Sequence, residues 1–195
     1  MYTIQWMKLQ ANRLQILLIG SLKIKDAGKF YNRLLAVHPS GQIDSYNKRH
    51  LFRMGDEDSF YSAGNASCLI SFKSWSIAPF ICYDLRFPEL IRNRLIDTKP
   101  AYDVLLYVAN WPSKRISHWD NLIKARAIEN QCYAVGCNRT GTDGNLLTYN
   151  GHSQAIDMFG NALIAPQEQE GIYVVNMSAK ELIEGRKNLP FLRDA

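Results

Sequence analysis

Ala78-Pro79-Phe80-Ile81-Cys82-Tyr83-Asp84-Leu85-Arg86-Phe87-Pro88 is the stretch on which the reading of this 195-residue chain turns. An apolar run ends at Cys82, polar residues follow at once, and Pro88 opens a segment over 88–96 that reads as a helix. Pro suits a first helical turn because it has no N–H to leave unbonded. The order strand, tight turn, helix presents a side chain at the end of a sheet, as the nucleophile elbow of hydrolases does. A helix N-terminus close by favours a thiolate. Taken alone, the spacing also fits a buried core cysteine, the commoner state of a free thiol.

Other apolar runs lie on either side of this stretch. Residues 14–22 (LQILLIGSL) and 104–108 (VLLYV) are apolar on both faces, as strands are in sheets covered from both sides. Residues 30–37 and 43–46 flank the turn His38-Pro39-Ser40-Gly41-Gln42 and read as a hairpin. Residues 50–65 read as irregular. Further strands are expected over 68–72, 77–82, 133–137, 153–157, 162–165 and 172–175. Helices are expected over 4–15, over 117–131, and from the N-cap Ser178 with Glu181 in the capping-box position. The fold class is therefore α/β, with sheets inside and helices outside.

Composition removes several classes of function. Apolar residues make up 47% and charged residues 21%, ordinary values for one globular domain. The formal charge of +5 is spread along the chain, without the dense basic stripe of a nucleic-acid face. No apolar run approaches the roughly 20 residues that span a bilayer. The opening residues do not read as a signal peptide. The four cysteines (Cys68, Cys82, Cys132, Cys137) form no CxxC pair, which argues against a zinc knuckle or a dithiol redox site and for a reducing compartment. The expectation is a cytoplasmic protein that binds neither nucleic acid nor membrane.

A second polar stretch, Tyr46-Asn47-Lys48-Arg49-His50-Leu51-Phe52-Arg53-Met54-Gly55-Asp56-Glu57, follows the hairpin. A lysine at a sheet end can lower a thiol pKa and hold a developing oxyanion. Alone, Lys48 reads more readily as an ordinary surface lysine.

The segments "YNKRHLF", "GDEDSFYSAG" and "ICYDLRFPEL" occur in that order, and "YVANWP", "HWDNLIKARAIENQCYAVGCNR", "GHSQAIDMFGNAL" and "LPFLRD" continue the series to the C-terminus. Together they resemble the nitrilase superfamily of carbon–nitrogen hydrolases, and within it the bacterial ω-amidase branch, which acts on α-keto acid amides such as 2-oxoglutaramate. The resemblance implies an α-β-β-α sandwich in a single domain over residues 1–195. It implies Cys82 as nucleophile and Lys48 as the oxyanion-binding cation, aided by the backbone N–H of Tyr83. Glu57 is expected to position the lysine, and Asn110 and Trp111 to wall the pocket. Arg86, His118 and Arg126 are expected to be scaffold. A homodimer acting on a small-molecule amide is implied, with no metal or organic cofactor.

The family also uses a glutamate ahead of these motifs, after a leading strand and helix. Residues 1–15 match the family's second helix, so the expectation is an N-terminally incomplete domain lacking the first strand, the first helix and that glutamate. Asp26 lies past the 14–22 strand and cannot take the role. General acid–base help of this kind is worth roughly 10²–10⁴-fold. Strand 14–22 would be left as an exposed apolar edge. Three readings follow: an amidase impaired by that loss, a silent nitrilase-like binding or dimerisation module, and a Cys/His peptidase using His118 or His152. The cation for a substrate carboxylate is open among Arg53, Arg86, Lys114, Arg115 and Arg139.

Overall fold

Along Lys29–Val37, alternate residues face opposite partners. Leu35 and Val37 pack with Met7 and Ala11 of the N-terminal helix, while Leu34 enters the main core. A strand presents successive side chains to opposite faces, so one strand joins a helix layer to the interior. The computed structural model describes residues 2–194.

In chain order the elements begin with α1 (Tyr2–Leu14), β1 (Leu18–Asp26), β2 (Lys29–Val37), β3 (Ile43–Asn47), α2 (Glu57–Phe60), β4 (Ile70–Phe72) and β5 (Trp75–Ile81). They continue with α3 (Pro88–Ile91), β6 (Leu95–Ile96), β7 (Lys99–Pro100), β8 (Val104–Ala109), α4 (Ile116–Glu129) and β9 (Tyr133–Asn138). The last are β10 (Thr140–Thr142), β11 (Thr148–Asn150), β12 (Ser153–Ile156), β13 (Ala162–Gln167) and α5 (Ala179–Asn188).

Strands β1-β2-β3 form an antiparallel sheet covered by α1. A six-stranded sheet runs β13-β12-β9-β8-β5-β4, with β5, β8 and β9 parallel. The sheets meet where Tyr46 sits edge-on to Phe80, ring centroids 5.7 Å apart. Helix α4 closes the other side through Trp119 and Ile123, packed so tightly that a Cβ at Gly136 would lie 2.2 Å from Ile123 Cδ1. The resulting α-β-β-α layering agrees with the sandwich implied by the resemblance.

Local readings differ in several places. Residues 50–65, read as irregular, contain the short helix α2, and the β10–β11 hairpin was not expected. Three further differences have a clear physical reason. The first strand begins at Leu18, because α1 continues to Leu14 and Gln15 turns with φ +55°. The helix expected over 88–96 stops at Ile91. Asn93 is instead fully buried and tied by its side chain to the carbonyls of Tyr102 and Asn130 at 3.0 Å each. The strand expected over 172–175 is absent. Ile172 and Val174 are 96% and 84% exposed, and no strand pairs with them among the described residues. Ser178 does cap α5, accepting the Glu181 N–H at 3.2 Å.

Candidate active site

Parallel strands gather functional groups at their C-terminal ends, and β5, β8 and β9 do so here. Cys82 directly follows β5 in the left-handed region, φ +47°, and opens a five-residue 3-10 turn, Cys82–Arg86. Such a backbone costs a non-glycine residue of order 1–3 kcal/mol and clusters at functional sites. The turn is fixed from beneath by Asp84, which is fully buried. Its carboxylate accepts from Tyr46 Oη (2.9 Å), the His50 N–H (2.9 Å) and the Ile81 N–H (3.1 Å). One carboxylate thus ties the end of β5 to the loop that leaves β3. Burial pushes Asp84 above the usual carboxylate range, against the pull of those donors.

Lys48 directly follows β3 and is 3% exposed. Its Nζ lies 2.5 Å from Glu57 Oε2. The same oxygen accepts the Phe52 N–H at 2.7 Å, and Oε1 accepts Asn32 Nδ2 at 3.1 Å. Burial alone would raise the Glu57 pKa, but the Lys48 charge and these donors outweigh it, and the carboxyl sits below its ordinary value. The Gly64 N–H donates to the Lys48 carbonyl at 2.9 Å, and a Cβ at Gly64 would fall 2.3 Å from the Asn47 carbonyl oxygen, so this close approach requires glycine.

Asn110 and Trp111 leave β8. The Asn110 carbonyl accepts from Cys82 Sγ at 3.8 Å. Trp111 is held by Asn138, whose Oδ1 accepts the Trp111 N–H (2.7 Å) and whose Nδ2 donates to the Trp111 carbonyl (3.0 Å) and the Gly151 carbonyl (2.6 Å). Tyr83 packs edge-on to Phe52, 5.0 Å between centroids.

Cys82, Lys48, Glu57, Tyr83, Asn110 and Trp111 all line one cavity of about 550 Å³. Arg86, Arg115 and Arg139 line it as well, whereas Arg53 and Lys114 do not. Four cations therefore face one carboxylate, a field that favours an anionic ligand. The histidines of the peptidase reading lie outside the cavity lining. His118 Nδ1 faces Arg86 Nη2 at 3.0 Å, and His152 is held 2.9 Å from Asp120 and 3.4 Å from Glu168. Among the described residues, no group of three His, Cys, Asp or Glu side chains is placed to hold a metal.

Burial works against the expected thiolate. Burial, the largest cause, pushes the Cys82 thiol up; the Lys48 ammonium opposes it, and Glu57 and Asp84 add to the rise. Lys48 is already neutralised by Glu57, and the short turn after Cys82 offers little helix dipole. Asp84, Asn138 and Tyr149 were not read from the sequence. The rule that sites form at the C-terminal ends of parallel strands would have flagged Asn138.

A family model described as carbon-nitrogen hydrolase matches residues 1–187. The omega-amidase YafV of Escherichia coli (strain K12) is 42% identical over 193 residues, which cover 98% of this chain and 73% of that protein. The 2-oxoglutaramate amidase of Bacillus subtilis (strain 168) is 35% identical, over 97% of this chain and 72% of its own length. Among solved structures, XC1258 from Xanthomonas campestris superposes with a TM-score of 0.97 at 41% identity, over 99% of this chain and 74% of that one. It is described as a CN-hydrolase superfamily protein with an arsenic adduct in the active site.

Proposed function

The chain belongs to the carbon–nitrogen hydrolase family, and from that membership we propose that it hydrolyses the terminal amide of a short carboxylated amide of the 2-oxoglutaramate type. The relatives' ω-amidase and 2-oxoglutaramate amidase activities support the substrate class. The observation that carries the proposal is the pairing of a strained Cys82, φ +47°, with a buried Lys48–Glu57 pair across one cationic cavity.

In this reading the Cys82 thiol gives up its proton to water, Sγ bonds to the amide carbon, and the C=O π pair moves onto oxygen. The resulting oxyanion is held by the Lys48 ammonium and the Tyr83 N–H. The C–N bond then breaks, nitrogen leaves as ammonia with a gained proton, and a thioester remains. Water attacks the thioester, the C–S bond breaks, and the acid and the free thiol are released. Glu57 fixes Lys48 in place through the contact of its Oε2 with Nζ. Asn110 and Trp111 wall the acyl group.

Proton transfer is the slow point. The two carboxylates that bear on Cys82, Glu57 and Asp84, are already engaged by donors. Neither is a ready base, so turnover by the 195-residue chain is expected to be slow at neutral pH and to rise with pH. That same observation favours a second reading, a silent member of the family that keeps the pocket for binding. Ammonia release from 2-oxoglutaramate or succinamate, measured beside Cys82→Ala, separates the two. Ammonia above the mutant level supports hydrolysis, and equality with the mutant supports the silent reading. A homodimer is proposed from the resemblance alone, and light scattering of the purified chain tests it; a cytoplasmic location is proposed from the composition and cysteine usage.

A further inference from the structure

The cavity must hold two ends of its ligand, and the site described so far accounts only for the amide end. We propose that Arg139, braced by Tyr149, is the residue that binds the substrate's free carboxylate, across β8 from Cys82. This rests on the amidase reading above and deepens it.

Strand register places the two ends. Ile81 pairs with Val108, Val108 with Cys137, and Ala109 with Asn138. Cys82 follows Ile81 directly, and Arg139 follows Asn138 directly. The thiol and the guanidinium therefore rise from strands on either side of β8, with Cα positions about 10 Å apart at two strand spacings. A five-carbon acid amide spans about 5 Å between its end carbons. That length fits between two side chains that line one cavity from either side of β8.

The other cations fit less well. Arg53 and Lys114 lie outside the cavity lining, and Arg53 is 3.6 Å from Asp58. Arg86 is committed, with Nη2 on His118 and its guanidinium 4.8 Å over the Trp111 ring. Arg115 rests over Phe52 at 5.4 Å, and the Phe52 N–H binds Glu57, so this arginine flanks the amide end. Arg139 lies 4.6 Å over the Tyr149 ring, and its Nε donates to the Thr140 carbonyl at 3.4 Å. Among the described residues, no hydrogen bond or ion pair engages its two terminal nitrogens. Its planar fork is thus oriented and free of hydrogen bonds at its terminal nitrogens. Asp143, whose carboxyl it helps hold below the ordinary value, is a nearby counter-charge, and the fork remains suited to bidentate carboxylate recognition. Tyr149 is itself pinned, donating from Oη to Asp143 at 2.8 Å.

The test uses Cys82→Ala protein, so that binding is read without turnover. Calorimetry with glutaramate and with butyramide, which is glutaramate less its carboxylate, isolates the contact. Adding Arg139→Gln is expected to weaken glutaramate binding about tenfold to a hundredfold and to leave butyramide binding within about twofold, with Arg139→Lys restoring part of the loss. An equal effect on both ligands, or none on either, overturns the assignment, as does loss of the glutaramate preference in Arg86→Gln or Arg115→Gln instead. If glutaramate fails to bind while butyramide binds, the carboxylate site fails and the amide pocket stands. If neither binds, the amidase reading itself falls and takes this inference with it.

Discussion

At the scale of single residues, Cys82 carries opposing influences that can be separated. Its thiol is raised above its ordinary value of 9.0 by burial, lowered by Lys48 and raised by Glu57. Alkylation requires the thiolate, so the rate of Cys82 modification by iodoacetamide should climb with pH through a midpoint above 9.0. Removing the ammonium in Lys48→Met should move the midpoint further up and slow modification at any given pH. Removing the carboxylate in Glu57→Gln frees the ammonium and should move it down. Mass-spectrometric rates across pH check both, and shifts of the reverse sign would contradict the electrostatic description. Cys82, Lys48 and Glu57 were legible as residues, because motif order marked them. The protonation state was not, because it depends on Glu57 neutralising Lys48, a pairing that only the folded loop creates.

At the scale of elements, the site depends on two loops locked together by one acid. The β5 elbow and the segment after β3 share Asp84, and its three donors come from Tyr46, His50 and Ile81. Asp84→Ala would leave those donors without a partner in the interior, at a cost of about 1–3 kcal/mol each. A loss of about 3 kcal/mol or more in urea unfolding is expected. A loss under about 1 kcal/mol would mean that water replaces the carboxylate without penalty. Long apolar strands such as β8 were readable because burial on both faces leaves an apolar run. The hairpin of β10 and β11 was not, since its three-residue strands carry no alternation and its turn is built from Asp143 accepting the N–H groups of Asn145 and Leu147. Residues 172–175 are an unbroken run of β-branched and aromatic residues, as a strand would be, yet form none, because a strand requires a partner edge and an apolar run alone does not supply one.

At the scale of the whole molecule, two sheets sealed by α1 and α4 aim the ends of β3, β5, β8 and β9 into one cavity with a surplus of positive charge. The α/β layering followed from patterning and resemblance, whereas the strand order β13-β12-β9-β8-β5-β4 came only with the structure. The side of the cavity that holds Arg139 and Tyr149 did not, since it arises from register across three strands distant in sequence. The central claim is covalent: an acyl group passes from an amide to the sulfur of Cys82. Acid quenching of the chain during incubation with succinamate, followed by peptide mass spectrometry, tests it most directly. A succinyl thioester on the peptide containing Cys82, absent from Cys82→Ala, is the expected result. Ammonia release with no adduct on that peptide, or an adduct on Cys68 or Cys137 instead, would contradict it.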